Sequence, residues 1–218
     1  MSSMINKVYF DMDGVLVNFD LSLQNFSGQT TEDILKSRDD FKNGKLEKDP
    51  ILVLMHKHVK EGLFEKAPEM EEFAIFIEMM EWLRENKIDF EILSSVTGES
   101  FGDIAIEQKK NWLQKRKIDC IQNYTKGAAE KIAYTGSENV LLIDDYKKNV
   151  NTFLENNSQA IHHHDIKKTL EKFKQFFPSF ELRKNKNLLK ALSQKSVLDK
   201  DIEVQPEINV AKKRKIAF

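Results

Sequence analysis

A chain of 218 residues, 40% hydrophobic and 32% charged, has room for one folded domain plus an appendage and reads as a soluble globular protein. No apolar run approaches the roughly 20 residues that span a bilayer, and the opening "MSSMINK" lacks the apolar stretch of a secretory signal. The net charge of −1 conceals an asymmetry: residues 183–218 hold ten Lys/Arg against four Asp/Glu, whereas residues 1–182 hold 24 against 31.

The single cysteine, Cys120, excludes an internal disulfide framework and fits a reducing compartment, so a cytoplasmic location is expected. Residues 6–10, "NKVYF", form a β-branched and aromatic run that stops at Asp11, which predicts a buried strand. Residues 18–67 are polar-rich, with helices expected near 31–38 and 50–60 and a turn at "KNGK". Pro50 suits a helix's first turn. In 68–87, Phe73, Phe76, Ile77, Met80 and Leu83 recur at helical spacing. Glu69, Glu71 and Glu72 are expected in the first turn of that helix, where its dipole favours acids.

"DFEILSS" (89–95) predicts a second buried strand, 104–116 a helix, 119–124 a short strand and 126–134 a helix. "NVLLIDDY" (139–146) repeats the opening pattern, an apolar strand ending in two acids. A helix at 148–157, a last short strand at 158–164 and a helix at 165–177 complete the series before Pro178. Strands alternating with helices predict an α/β fold with a mostly parallel sheet covered on both faces. This domain is expected over 1–178, with 179–218 as an extended or flexible basic tail.

Asp11, Asp13, Ser94, Asp144 and Asp145 all fall at predicted strand ends, where such sheets bind ligands. Four carboxylates in one crevice raise each other's pKa values, and a hard divalent cation relieves the repulsion. All-oxygen ligation favours Mg²⁺, which commonly works beside phosphate. That setting suits Asp11 as a nucleophile forming an aspartyl-phosphate. It suits Asp13 as acid for the departing alkoxide and base for water. Gly14 allows a tight turn that presents backbone N–H groups to phosphate oxygens. Helix caps or solvated strand ends would account for one acid pair, but poorly for two pairs on two apolar strands.

"DMDGVL" resembles motif I of the haloacid dehalogenase-like (HAD) phosphohydrolases, "EILSS" their motif II and "LLIDD" their motif IV, in matching order over residues 5 to about 165. With "GLFEKAPEMEEFAIFIEMMEWL" and "EQKKNW", the chain is similar to the 5′(3′)-deoxyribonucleotidase group, which carries a small helical cap between motifs I and II, here 18–67. The resemblance implies a Rossmann-like HAD fold, with Asp11 as nucleophile and Asp13 as acid/base whose backbone carbonyl also meets the metal. It implies that Ser94 hydrogen-bonds the transferring phosphoryl group, Asp144 ligates Mg²⁺ and Asp145 holds a metal-bound water.

Motif III needs a lysine to offset charge between nucleophile and phosphate. Lys109 is expected in that role because Trp112 follows three residues later, as in the group's pattern; Lys126 is the rival. Gly14, Ser95 and Phe64 are candidate substrate contacts, Phe64 by stacking on a base, although an aromatic there also suits packing. Ser94-Ser95-Val96 departs from the group's Thr-Ser-Pro.

The expected activity is therefore Mg²⁺-dependent phosphomonoester hydrolysis, with a (deoxy)ribonucleoside monophosphate as substrate. Asp13 argues against a dehalogenase, since halide leaves without protonation. Two alternatives stay open: a nucleic-acid end-processing phosphatase using "KKRK" at 212–215, and a binding module that kept the fold without catalysis. "HHH" at 162–164 does not read as a zinc site, because consecutive strand residues alternate faces.

Overall fold

Val8, Tyr9 and Phe10 are all buried, as a strand covered on both faces must be, and they place β1 (Lys7–Phe10) at the centre of a sheet. The computed structural model describes residues 4–96, 100–137 and 139–183; the basic stretch from 184 onward, with "KKRK", lies outside the described residues. The other strands are β2 (Asp89–Val96), β3 (Ile121–Lys126), β4 (Val140–Asp144) and β5 (Gln159–His162). All pairings are parallel, in the order β3-β2-β1-β4-β5. The chain builds outward from β1 to β2 and β3, then returns to pair β4 on the other side of β1, so the strand order reverses between β1 and β4. Ligands in open α/β sheets bind beyond the strand ends at such a switch.

Alternation along the strands feeds two cores. Tyr9, Leu93 and Leu142 pack on Phe153 of α6 (Lys147–Glu155). On the opposite face Phe10 meets Phe76 of α4 (Phe73–Glu85) edge to face at 6.3 Å. Trp82 of α4 then packs on Phe173 of α7 (Ile166–Phe176) and on Phe177 and Phe180. Phe180 is 1% exposed, so the packed body runs past the expected limit at 178: an aromatic with a waiting hydrophobic slot outweighs the loss of periodicity around it. No helix among the described residues is long and apolar enough to cross a membrane.

The stretch 18–67 is helical throughout its packed part, with α1 (Phe19–Ser27), α2 (Thr31–Lys42) and α3 (Pro50–His58), followed by a 3₁₀ turn at Val59–Glu61. Caps define these helices. Asn18 and Asp49 accept from backbone N–H groups at the starts of α1 and α3, Thr30 and Asp33 form a reciprocal capping box on α2, and Pro50 occupies the first turn of α3. Helix α1 was not expected. Phe19, Leu23 and Phe26 have helical spacing, but Ser and Asn between them mask it.

Helix α4 begins at Phe73 rather than 68, because residues 68–70 use their backbone elsewhere. Asn18 N–H donates to the Pro68 carbonyl (2.9 Å) and Met70 N–H to the Leu16 carbonyl (3.0 Å). Glu69 and Glu71 therefore precede the helix, Glu72 is its N-cap, and Glu69 instead accepts from Arg116 (2.8 Å). These bonds also tie the two ends of the 18–67 insert together. The segment expected to be helical at 126–134 is a 3₁₀ stretch, Ala128–Tyr134. Helix α5 (Gly102–Lys115) joins β2 to β3.

Cys120 precedes β3, and burial pushes its thiol up to about 11, against a hydrogen bond with the Ile92 backbone. Since the thiolate is the reactive form, its reaction with a disulfide reagent should still climb about tenfold per pH unit through pH ~9. A plateau near pH ~8.5, the ordinary thiol value, would contradict this burial.

Candidate active site

Both acid pairs emerge at the strand-order switch. Asp11 follows β1 and continues its pairing, its N–H donating to the Ile143 carbonyl of β4 (2.9 Å). Asp144 ends β4. Carboxylate oxygens of Asp11, Asp144 and Asp145 all lie within 4.8 Å of one another, an arrangement that could hold a cation. Asp13 stands beside them in the tight turn after Asp11; its Oδ1 is buried and has no hydrogen-bond partner among the described residues.

Two buried lysines answer these charges. Lys109, 1% exposed on α5, donates to Asp13 Oδ2 (2.6 Å), Ser94 Oγ (2.8 Å) and the Ser95 carbonyl (3.3 Å). Lys131, fully buried on the 3₁₀ stretch, donates to Asp144 Oδ2 (2.7 Å) and reaches Asp11 Oδ1 at 3.1 Å. Lys131 was not anticipated, and it is the lysine that touches Asp11. Lys126, the rival to Lys109, is exposed at the end of the edge strand β3, and its backbone N–H donates to Glu130 Oε2 (2.6 Å).

The remaining bonds fix Asp144. Its Oδ1 accepts from the Tyr146 N–H (2.8 Å), and its Oδ2 also accepts from Asn149 Nδ2 (2.9 Å). Burial and the Asp11 charge nonetheless push Asp144 up to about 6, against the pull of Lys131. Burial of its carboxyl, then the charges of Asp11, Asp144 and Asp13, push Asp145 up to about 8. Asp13 is also raised, by burial and by Asp11, with Lys109 opposing. Lys131 is raised as well: burial lowers it, but Asp11 and Asp144 more than offset that.

Four carboxylates against two ammonium groups leave two formal negative charges, the deficit a divalent cation cancels. Oxygen-only donors favour Mg²⁺ over softer metals.

Gly14 adopts φ +75°, and its N–H donates to the Val17 carbonyl (2.8 Å), closing the turn after Asp13. A Cβ there would lie 2.2 Å from Asp145 Oδ2 and 2.4 Å from its Cγ. Gly14→Ala therefore meets both a left-handed backbone and a carboxylate in the way. It should weaken Mg²⁺ binding at least about tenfold, the scale of change when groups around a metal ligand are disturbed, as read by calorimetric titration. Unchanged affinity would mean that Asp145 is not held against this turn.

The other expected contacts separate. Ser94 is fully buried on β2, with its hydroxyl on Lys109. Ser95 points elsewhere and pairs with the Thr125 hydroxyl (3.1 Å). Phe64 is 2% exposed, stacked on Phe19 at 5.4 Å and 11°, with Lys109 Nζ 5.3 Å from its ring centroid. With one face on Phe19 and Lys109 beside it, the ring has no open face for a base and serves as core beneath the site. The three histidines split as alternation requires: His162 bonds the Asp145 carbonyl, His163 is buried on Thr169 and His164 is exposed.

No family model and no curated protein matches the chain. Among solved structures it is similar to a HAD family enzyme of Bacteroides thetaiotaomicron, crystallised with magnesium and inorganic phosphate. The wild-type form shows 15% identity and a TM-score of 0.39, and an aspartate-to-alanine mutant 14% and 0.40. Each alignment covers 72% of this chain and 93% of that one.

Proposed function

We propose that this protein is a Mg²⁺-dependent phosphomonoesterase of the HAD type, acting through an aspartyl-phosphate at Asp11. The observation that carries the reading is the convergence of Asp11, Asp13, Asp144 and Asp145 with Lys131 and Lys109 at one strand-order switch. Asp11, Asp144 and Asp145 are the residues that would hold the ion. When bound, Mg²⁺ supplies charge neutralisation for an incoming phosphate and for the acids around it.

The chain's own groups divide the work. The Asp11 carboxylate attacks phosphorus while Asp13 gives a proton to the departing oxygen, and Asp13 then takes a proton from the water that cleaves the acyl-phosphate. Ser94 Oγ and Lys109 Nζ lie 2.8 Å apart and hold phosphoryl oxygens, which positions the group and offsets its charge. Lys131 Nζ, 3.1 Å from Asp11 Oδ1, aims the nucleophile.

The finer reading is a 5′-nucleotidase for (deoxy)ribonucleoside monophosphates in the cytoplasm, with residues 18–67 as a small helical cap. It rests on the sequence resemblance to the deoxyribonucleotidase group and on the helical insert between the first two strands. A panel of phosphate esters, run with Mg²⁺ and with EDTA, tests both levels. Nucleoside monophosphates should lead the panel and EDTA should abolish turnover. Turnover that survives EDTA sinks the metal-dependent chemistry, and a flat panel sinks the nucleotide preference alone.

The charge asymmetry of 183–218 supports a second reading, end-processing of nucleic acid. In that case hydrolysis of a 3′-phosphorylated oligonucleotide would exceed that of dTMP and fall steeply with salt. Absence of turnover on every ester would favour the non-catalytic binding module instead.

A further inference from the structure

We propose that His162 is a positioning residue for Asp145, orienting the backbone from which the second carboxylate of the acid pair reaches the metal site. The inference rests on the reading of Asp11, Asp144 and Asp145 as a Mg²⁺ site.

The two members of the pair are secured differently. Asp144 is locked through its side chain, which accepts from Tyr146, Asn149 and Lys131. The Asp145 carboxylate accepts no hydrogen bond among the described residues and faces repulsion from Asp11, Asp144 and Asp13. That carboxylate turns about its own side-chain bonds, but the backbone sets where its Cα–Cβ bond points, so whatever orients the backbone decides which positions the third carboxylate can reach.

His162 does this. It stands opposite Asp144 in the β4–β5 register, and its Nε2 lies 2.8 Å from the Asp145 carbonyl. A carbonyl only accepts, so Nε2 carries the proton, and both the neutral Nε2–H form and the imidazolium can donate. That carbonyl lies just outside α6, whose first turn bonds to Tyr146 O instead, so the helix does not hold it. The next residue finishes the clamp: His163 N–H donates to the Asp144 carbonyl at 2.9 Å. Successive carbonyls of the acid pair are thus pinned by successive histidines. Gly14, whose missing Cβ leaves room for the Asp145 carboxylate, closes the other side.

The test is Mg²⁺ affinity by calorimetric titration of the full chain for the parent, His162→Ala and His162→Gln, with unfolding followed in EDTA. His162→Ala should bind Mg²⁺ about ten-fold or more weakly, the range seen when partners that orient ligands are lost. Its melting in EDTA should stay close to the parent's. His162→Gln, which restores an N–H donor at similar reach, should recover most of the affinity. Parent-like affinity in His162→Ala overturns the inference and leaves the Mg²⁺ site intact. Equal loss in both variants, or a large drop in EDTA melting, also overturns it, since either makes His162 structural. A parent that binds no Mg²⁺ overturns the metal-site reading itself and the inference with it.

Discussion

Asp11→Asn should reduce kcat for phosphate-ester hydrolysis by at least about four orders of magnitude, the scale of losing a nucleophile, while leaving the fold intact. The amide is isosteric, and its oxygen can still accept from the Met12 N–H, which Asp11 Oδ1 accepts at 2.8 Å. What it cannot do is attack phosphorus as a carboxylate. The change also removes one of four crowded negative charges, and Asp11 is a leading cause of the raised pKa values of both Asp144 and Asp145. Melting in EDTA should therefore stay close to the parent's, because relief of the repulsion on Asp144 and Asp145 offsets the lost contact with Lys131 at 3.1 Å. The opposite pattern, retained turnover with lowered stability, would mean that Asp11 is a structural acid and that the covalent mechanism is wrong. Steady-state kinetics and melting on one preparation decide between them.

Legibility in the sequence followed the range of the interactions involved. Strands β1 and β4 could be read because burial on both faces demands continuous apolar runs, and an acid pair at the end of such a run has no packing explanation. Lys109 could be read through the resemblance, from Trp112 three residues on; the structure adds that Ala105, Gln108, Lys109, Trp112 and Leu113 share the buried face of α5, so the lysine points inward to a charge.

Lys131 was out of reach because it lies on a 3₁₀ stretch with no 3.6 period, and its two partners meet only once β4 has paired with β1. The one local hint is that it stands 13 residues before Asp144, in the connection leading into the second acid strand. The role of Phe64 depended on Phe19, which lies 45 positions earlier on a helix whose pattern was masked. The late start of α4 had the same kind of cause: Pro68 and Met70 spend their backbone groups on residues 16–18, a nonlocal competitor that no propensity records.

Lys131→Met should cost both stability and catalysis, and the two losses should respond differently to Mg²⁺. A methionine fills most of the fully buried volume of Lys131 without its charge. Removing one partner of a buried ion pair typically costs about 3–5 kcal/mol, because the other charge is left unpaired in a poor dielectric. The competing view is that burying an ammonium is so costly that its loss is neutral. The raised pKa of Lys131 decides against that view: burial lowers it, yet Asp11 and Asp144 more than compensate, so the charged form is net favoured in the folded protein. By linkage, that stability is fully present below the ordinary lysine pKa and is lost only as pH rises through the higher folded value, so it operates throughout the neutral range.

The variant should therefore melt lower than the parent in EDTA at pH ~7 and regain more on adding Mg²⁺, since the ion would then be the main neutraliser of Asp11 and Asp144. Its kcat should stay about 10²–10³-fold down even in saturating Mg²⁺, the usual loss when one preorganised donor is removed from a reacting centre. An equal Mg²⁺-induced rise in melting for both proteins would show that Lys131 and the metal answer different charges. Full recovery of kcat would make its role purely structural. Lys109, bonded to Asp13 and Ser94 rather than to Asp11, cannot substitute for it without releasing the acid/base, which is why the site needs two lysines.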